Sequence, residues 1–392
     1  MYSCKWRFKF NISKSNVIVV AGRKKQAQIG NYFLGLEALK VVKVYKYLGL
    51  DFEDSLRWTL TRQRLVAKAR VRVALLSKAL SEGLSPQAGE VIWWAMIVPV
   101  LNFGSELWGA AKCKEIERVQ LEVGKRILGI SKKTASAVVR GELGWWSMRA
   151  QRDMKILLFW ARLVRMHDTR LVKQVYLLRR QQAGRRAGGW CAAVKKLLES
   201  IGLGHVWESE AVGSVTEWKR LIKHSLQSRE EMNWKEEMKM KPKLRTYRSL
   251  KYDLRKEEYL EVIKDKEERR KLTALRGGTN PLRIETGRWK GESVEDRICS
   301  LCAEGKLEDE KHFLLFCSAY HRERQQLFKH IKDMTNYDIP LMLDQQQWAL
   351  EMLLGVGCSD KTKRQCIQLE VAKFIDVAFR KRWTLIMKVT QD

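Results

Sequence analysis

The segment Arg62–Leu80, RQRLVAKARVRVALLSKAL, sets the expected architecture of the chain. Its apolar residues recur every three or four positions, which is typical of the buried face of an α-helix. These residues are Leu65, Ala69, Val73, Leu76 and Leu80. Beside them lies a basic stripe, because residues four apart are neighbours on a helix surface. The stripe consists of Arg64, Lys68 and Arg72.

Further helices are expected downstream of this segment. Ser85-Pro86 provides an N-cap and a first-turn proline for the next helix. Apolar periodicity predicts two more, over Glu115–Leu128 with Gly129 as its stop and over Trp145–His167. Four tryptophans could stack on nucleic-acid bases, but their helical spacing among aliphatic residues favours a place in the core. They are Trp93, Trp94, Trp145 and Trp146.

The N-terminal part follows a different pattern. Trp6, Phe8 and Phe10 alternate with basic residues, which predicts a strand with one apolar and one basic face. Asn16–Val20 and Val44–Leu50 predict two more strands. Three short strands need helices or further strands to cover them, so the chain is expected to begin in the middle of a domain. The predicted fold class is α+β, predominantly α-helical.

The second half contains charged stretches and a terminal amphipathic helix. Gln181–Gly189 concentrates Gly and Arg and is a candidate linker. Lys235–Lys271 alternates charges with few apolar residues, which favours a solvated helix or connector. Gly277–Pro281 then breaks any regular structure. The last helix is predicted by the helical spacing of Ile367, Val371, Phe374, Ile375 and Ala378.

Composition limits the class of protein and the kind of partner. The chain has 392 residues, with 75 Lys plus Arg against 45 Asp plus Glu, a net charge of +30. Each cation set against a phosphate releases condensed counterions, so the excess favours nucleic acid, with an anionic membrane surface as the alternative. No apolar run approaches the roughly 20 residues of a membrane span, and the N-terminus lacks the apolar block of a secretory signal. We therefore expect an intracellular protein, nuclear or cytoplasmic, without a membrane partner.

The most specific pattern is a cluster of cysteines and a histidine. Cys299 and Cys302 are separated by two residues, His312 follows after nine, and Cys317 after four more. Zinc favours tetrahedral coordination by thiolate and imidazole donors, and four protein ligands would make the site structural. The sequence therefore predicts a structural zinc site, with His321 as an alternative ligand. Three reduced cysteines without a metal ion remain the other possibility.

No pattern typical of an active site occurs in the sequence. A polymerase holds two divalent metals on paired carboxylates, and the chain has no aromatic-x-Asp-Asp sequence. The nearest acidic group, Asp51–Asp54, also fits a solvated strand end. A Gly-rich phosphate loop followed by Lys-Ser or Lys-Thr is missing as well. Catalysis by this chain alone is therefore not expected.

Four blocks of the sequence carry a family resemblance. They are Trp6–Val20, Tyr45–Leu50, Gly104–Trp108 with Gly141–Gly144, and Arg297–Cys317 with Tyr320 and Arg324. In order, they resemble the late palm motif, the primer-gripping hairpin, the helical thumb with its extension and the terminal Cys-Cys-His-Cys element of one enzyme family. That family is the reverse transcriptase of non-long-terminal-repeat retrotransposons, especially the jockey-like group.

The resemblance implies roles for individual residues. RNA, DNA or an RNA–DNA hybrid would be contacted by Tyr47, Leu48 and Gly49 of the hairpin and by Arg64, Lys68 and Arg72 of the thumb helix. Contacts to the phosphate backbone recognise shape and charge and not base identity. Lys14 corresponds to a lysine that assists pyrophosphate departure and would be a vestigial general acid.

The resemblance also divides the chain into regions. The expected regions are the end of the palm with the hairpin at 1–58, the helical thumb and extension at 59–180, a charged helical connector at 181–275, the zinc-binding module at 276–330 and C-terminal helices at 331–392. In this family the catalytic aspartates precede the block near Trp6. We therefore expect a truncated remnant, inactive alone, that keeps nucleic-acid binding and structural zinc. Magnesium would bind only in a complete parent enzyme.

Two alternatives follow from the same sequence. The chain could be a domesticated interaction protein whose zinc module or C-terminal helix binds a protein partner. It could also be a partial gene model of an active reverse transcriptase.

Overall fold

A computed structural model describes residues 5–7, 9–20, 30–183 and 188–389. Helices dominate, and the strands all lie near the N-terminus, so the predicted α+β, mainly helical fold class is confirmed. The strands are β1 (Asn16–Val17), β2 (Tyr32–Leu34), β3 (Glu37–Val41), β4 (Val44–Tyr47) and β5 (Leu50–Glu53).

The helices follow one another with short connections. They are α1 (Thr59–Ser81), α2 (Pro86–Ile92), α3 (Val98–Leu101), α4 (Ser105–Trp108), α5 (Lys114–Leu128), α6 (Ser136–Leu143), α7 (Met148–Val164), α8 (Leu171–Gln182), α9 (Trp190–Ser200), α10 (Gly204–Ser209), α11 (Val215–Lys239), α12 (Arg245–Leu250), α13 (Tyr259–Val262), α14 (Lys266–Arg276), α15 (Arg283–Lys290), α16 (His321–Thr335), α17 (Gln346–Leu353) and α18 (Lys361–Val389). The predicted linker at 181–189 falls between α8 and α9, and residues 184–187 of it lie outside the described residues.

The strands form two small sheets. In the first, β3 lies between β1, to which it is parallel, and β2, to which it is antiparallel. In the second, β4 and β5 form an antiparallel hairpin, with Tyr47 paired to Leu50. Leu48 and Gly49 connect them with φ of 46° and 86°, as a type I′ turn requires. The single strand predicted over Val44–Leu50 is therefore two strands, because the chain reverses at this turn.

The strand predicted at Trp6–Phe10 is wrong for the described residues. Arg7 has a φ of 51°, a left-handed conformation that cannot continue a strand, and neither residue 9 nor residue 10 is extended into a ladder. Phe8 lies outside the described residues. The next predicted strand is shorter than expected, because only Asn16 and Val17 pair with β3.

The helix predictions for the middle of the chain are confirmed. All five apolar residues of the segment that sets the architecture are buried in α1. The side chain of Ser85 caps α2, with Pro86 in its first turn, and Gly129 ends α5 in the left-handed conformation. Helices α1 and α5 run side by side in the same direction, because Arg62 contacts Lys112 near their starts and Ser77 contacts Arg126 near their ends.

One continuous apolar core joins distant parts of the sequence. It includes the inner face of α1, the segment that carries the cysteine cluster and the inner face of α18, where the five predicted residues are buried. A second core, formed by α7 to α11, packs around Trp160, Trp207 and Trp218. The predicted thumb, zinc and C-terminal regions thus share a core.

The charged stretch Lys235–Lys271 is not a solvated connector. Met238, Leu244, Tyr247 and Tyr259 within it are buried, and Tyr247 and Tyr259 are fully so. These apolar and aromatic side chains pack against α6 and α14. Some of the charges are buried with them, because Lys251 pairs with Glu257 at 2.6 Å.

A buried arginine ties three segments together. Arg276, in the last turn of α14, is 1 % exposed. Its Nε donates to Glu142 of α6 at 3.3 Å, its Nη2 lies 2.9 Å from Glu257, and its Nη1 donates to the carbonyl of Leu354. The Tyr259 hydroxyl donates to the other oxygen of Glu142. A buried charge is tolerated only when paired and hydrogen-bonded, so this arrangement fixes how the segments pack.

Replacing Glu142 tests this network. Glu142→Gln removes one of the two carboxylates that neutralise Arg276 and leaves Glu257 as its remaining countercharge. It also alters the acceptor of the Tyr259 hydroxyl, so the free energy of unfolding should fall by about 3 kcal/mol. Glu122→Gln removes an exposed partner of Arg126 and should cost less than about 1 kcal/mol. Urea unfolding followed by tryptophan fluorescence measures both, and equal losses would show that the buried pair does not hold the segments.

Candidate metal centre and nucleic-acid interface

The predicted cysteine and histidine ligands come together at one point. The ligand atoms of Cys299, Cys302, His312 and Cys317 all lie within 4.8 Å of one another. The sulfurs of Cys299 and Cys317 are 3.8 Å apart, and Cys302 Sγ lies 3.4 Å from His312 Nε2. A tetrahedron with metal–sulfur bonds of about 2.3 Å and metal–nitrogen bonds of about 2.0 Å has edges of about 3.8 Å and 3.5 Å. The four donors therefore fit a single tetrahedral metal ion.

Local backbone structure brings the ligands to this point. Ile298 pairs with Leu307, and the Cys299 amide donates to the carbonyl of Lys306 at 2.8 Å, which closes a tight loop around the first two cysteines. Asp309 then accepts from the His312 amide and starts a π-helical turn. At the end of that turn the Cys317 amide donates to the His312 carbonyl at 2.7 Å. The histidine and the last cysteine consequently face the loop.

The spacing of the thiols affects their protonation. The hydrogen bond between the two buried thiols raises the pKa of Cys299 to about 12 and lowers the pKa of Cys317. Burial raises the pKa of Cys302. Because a metal ion binds thiolates, ion binding must displace protons from this group.

Buried charges surround the ligands. Glu308 lies 3.7 Å from Cys299 Sγ and is held by Arg382 of α18, with one contact at 2.9 Å and both residues buried. Arg324 of α16 donates to the carbonyls of Leu314 and Cys317. Three thiolates with a divalent ion carry a net charge of −1, so the nearby guanidinium groups favour the loaded site. The metal segment is thus held by two helices that follow it in sequence.

Sequence reasoning missed the part played by Arg382. The apolar spacing that predicted the last helix was followed only to Ala378, whereas that helix continues to Val389. The signal is nevertheless present, because Arg382 follows Ala378 by four residues and Ile375 by seven. That spacing places it on the buried face.

The alternative ligand His321 is not part of the group. His321 begins α16 and is exposed, whereas His312 is 5 % exposed and faces Cys302. The π-helical turn that starts at His312 directs the imidazole inward together with the buried side chains of Phe313 and Leu314.

The residues that resemble a primer grip lie in one N-terminal unit with Lys14. Tyr47 and Leu48 are exposed at the hairpin tip, and the Tyr45 hydroxyl donates to the Lys14 carbonyl at 2.8 Å. The Lys14 side chain is itself exposed. The hairpin packs on the Gly104 block, because a Cβ at Gly104 would lie 2.8 Å from the Leu50 side chain. Three of the four resembling blocks are therefore joined by contacts through the hairpin.

The predicted basic stripe on α1 is only partly free. Arg64 forms an ion pair with the buried carboxylate of Asp51, so its charge holds the hairpin to the helix. Lys68 is exposed, and Arg72 is half-buried with one Nη donating to the Lys68 carbonyl. One oxygen of the Asp51 carboxylate is thereby paired, and the residue is buried.

A second basic surface flanks α1 on its other side. A groove of about 580 Å³ lies between this helix and the start of α5. Four cations line it, with Glu115 as the one acid; they are Arg62, Arg70, Lys112 and Lys114. Sequence analysis missed this groove because Lys112 and Lys114 meet α1 only through the parallel packing of α1 and α5.

The four tryptophans considered for stacking are mostly core residues. Trp93 and Trp145 are buried and stacked on each other, with ring centroids 5.4 Å apart. Trp145 Nε1 donates to Glu90 at 3.2 Å. Trp94 and Trp146 are partly exposed. Trp93 and Trp145 are therefore unavailable for stacking on bases.

Comparison of the chain with protein-family models, curated proteins and solved structures finds no match. Among the helices in the described part of the chain, none has the length and apolar character needed to cross a membrane. Function is therefore inferred from the geometry above and from the resemblance of the sequence blocks.

Metal content distinguishes ligands from bystanders. Cys302→Ser and His312→Ala each remove one donor, so the purified protein should lose its single bound metal ion and unfold at a lower temperature. Cys366→Ser and His321→Ala change the same residue types outside the group and should keep the ion. Atomic emission spectroscopy and thermal unfolding measure this. Retention of a full equivalent by Cys302→Ser would contradict the assignment.

Proposed function

We propose that this chain binds RNA, DNA or an RNA–DNA hybrid through its phosphate backbone. The observation that carries the proposal is the pair of basic surfaces on the two flanks of α1, one formed by Lys68 and Arg72 and the other by the groove at Arg62 and Arg70. The net charge of +30 agrees with a polyanionic partner. The packing of the exposed hairpin tip on the Gly104 block adds a surface next to the start of the same helix.

We further propose that the metal ion is zinc and that its role is structural. Three thiolates and one imidazole are soft to borderline donors, which zinc prefers and which magnesium does not. No water position is required to complete a tetrahedron of four protein ligands. The ion would hold the cysteine loop against α16 and α18.

In this proposal the chain acts as the thumb and terminal zinc region of a polymerase of the retrotransposon type, in the nucleus or cytoplasm. The support is the resemblance of the four sequence blocks, together with the contact between the hairpin and the Gly104 block. Its contribution would be to hold a template and primer, and a protein partner is the competing role for the zinc segment and α18.

Salt dependence of binding tests the phosphate contacts. For a duplex, the logarithm of the affinity should fall linearly with the logarithm of salt concentration, by about 0.9 for each phosphate contact. The double variants Lys68→Ala/Arg72→Ala and Arg70→Ala/Lys114→Ala should each reduce that slope by about two if both flanks contact phosphates. Fluorescence anisotropy with a labelled RNA–DNA hybrid gives the slopes.

A matched control is available on another helix. Lys219→Ala/Lys223→Ala removes two exposed lysines from α11 and should leave the slope unchanged. A wild-type affinity that does not change with salt would overturn the proposal, and a protein partner retained after nuclease treatment would favour the competing role.

Primer extension with magnesium should give no nucleotide incorporation by this chain alone. The nearest acidic group is already occupied, because Asp51 pairs with Arg64 and Glu53 accepts from the Leu60 amide. Two-metal catalysis needs carboxylates that are free to bind the ions. Incorporation that survives Asp51→Asn would show that carboxylates elsewhere hold the metals.

A further inference from the structure

A small basic pocket lies between α15 and the chain that follows the end of α5. Its volume is about 240 Å³. Three cations, two hydroxyl groups and one indole line it; they are Lys133, Lys243, Arg288, Ser131, Thr279 and Trp289. We call this set the Lys243 pocket. Cavities that hold drug-sized ligands have about 300–1,000 Å³, so this one suits a single small polar group.

The lysines of the Lys243 pocket lack countercharges. In the described part of the chain, neither Lys133 nor Lys243 forms an ion pair, and nor does the neighbouring Lys125. Lys243 Nζ donates to the carbonyl of Lys133 at 3.0 Å, which keeps the two lysines together. Arg288 is paired with the buried carboxylate of Glu285 and is the exception.

The electrostatics agree with an excess of positive charge. Burial, followed by repulsion from Arg288, lowers the pKa of Lys243, although Glu285 partly opposes the shift. Burial and repulsion from Lys241 lower the pKa of Lys125. Burial is the larger cause of both shifts and repulsion between the cations adds to it, so an anion placed among them would be stabilised.

Glycines allow the chain to close the pocket. A Cβ at Gly278, where φ is 64°, would lie 2.5 Å from the Lys243 carbonyl oxygen. A Cβ at Gly277 would lie 2.8 Å from the side chain of Val138. The close approach places Thr279 beside the lysines, and its hydroxyl lies 3.4 Å from that of Thr134. The Gly-Gly-Thr sequence that appeared only to break regular structure thus builds one wall of the pocket.

An exposed aromatic ring stands at the entrance. Trp289 is 52 % exposed, although indole rings are among the groups most favourable to bury. Lys133 Nζ lies over one face of this half-exposed indole, 5.6 Å from the ring centroid, so the cation and the aromatic ring form one surface. Proteins that bind single-stranded nucleic acid combine these same features, a cationic groove for the backbone and an aromatic ring for a base.

We propose that the Lys243 pocket binds a backbone phosphate of single-stranded nucleic acid while a neighbouring base stacks on Trp289. The proposal rests on the proposed nucleic-acid binding and adds a second contact point, beyond the end of α5, whereas the groove on α1 lies at the start of α5. Duplex bases are already stacked on one another, so the pocket selects single strands.

Binding of a fluorescein-labelled oligouridylate tests the pocket. Trp289→Ala should weaken the affinity roughly 5- to 150-fold through the lost stacking, and Trp289→Phe should restore most of it. Lys133→Ala/Lys243→Ala should reduce the salt slope by about 0.7, the value for one phosphate contact to a single strand. Affinity for a duplex should be unchanged in Trp289→Ala.

The control is Lys219→Ala, a change of the same charge near the far end of α11. Lys219 lies 20 residues before Lys239, or about 30 Å along the helix at 1.5 Å per residue. The Lys219→Ala variant should therefore bind like the wild type. Thermal unfolding of each variant checks that it is folded. Substitutions at exposed positions should be compatible with folding.

The possible outcomes separate this proposal from the broader one. If the wild type binds both nucleic acids and the pocket variants bind the single strand equally well, the pocket proposal is overturned and the proposed function stands. If the wild type binds neither, both fail. If uridine monophosphate or inorganic phosphate alone binds as tightly as the oligonucleotide, and the variants lose that binding, the ligand is a free phosphate compound and the polynucleotide assignment is overturned.

Discussion

The buried charge of Arg276 is the constraint on which the central packing depends. Its guanidinium group has no access to water, so every arrangement of the surrounding chain must supply Glu142, Glu257 and the Leu354 carbonyl together. Such networks contribute little net stability compared with a well-packed apolar core, but breaking them is costly. The consequence is geometric, because α6, α14 and the end of α17 can pack in only one register. Thr279 of the Lys243 pocket comes soon after the end of α14, and the metal segment follows α15.

The metal segment repeats this logic on a smaller scale. Glu308 is buried beside the ligands and depends on Arg382, which comes 74 residues later in the sequence. The segment is therefore not an independent module, although its ligands span fewer than 20 residues. Metal binding and the docking of α18 should be coupled, because each supplies charge or packing that the other needs. A metal ion bound here would stabilise the association of helices as well as a local loop.

The elements that could be predicted from the sequence are those that depend on a local pattern of residues. The buried face of α1, the caps of α2 and α5 and the ligand spacing at Cys299 all follow from contacts within a few residues. Pairings between distant residues were not predictable, such as Arg64 with Asp51 or Lys243 with Thr279. The charged stretch before Lys271 was wrongly predicted to be solvated for a related reason. Burial of Tyr247 and Tyr259 depends on α6, which lies more than 100 residues earlier in the chain. The strand predicted from the alternation at Trp6 is wrong because a residue with a left-handed backbone conformation interrupts it.

Net charge overstates the cations that a polyanion can reach. Three arginines are each paired with a buried carboxylate, so their charges are neutralised inside the fold. They are Arg64, Arg276 and Arg382. What distinguishes a binding surface is therefore an unpaired cation and not an abundance of basic residues. Lysines dominate the unpaired set in the Lys243 pocket, whereas arginines dominate the buried pairs, as expected from the rigid fork of the guanidinium group. A nucleic-acid strand that reached from α1 to that pocket would pass over the side of the molecule formed by α5. This one helix connects the two sites.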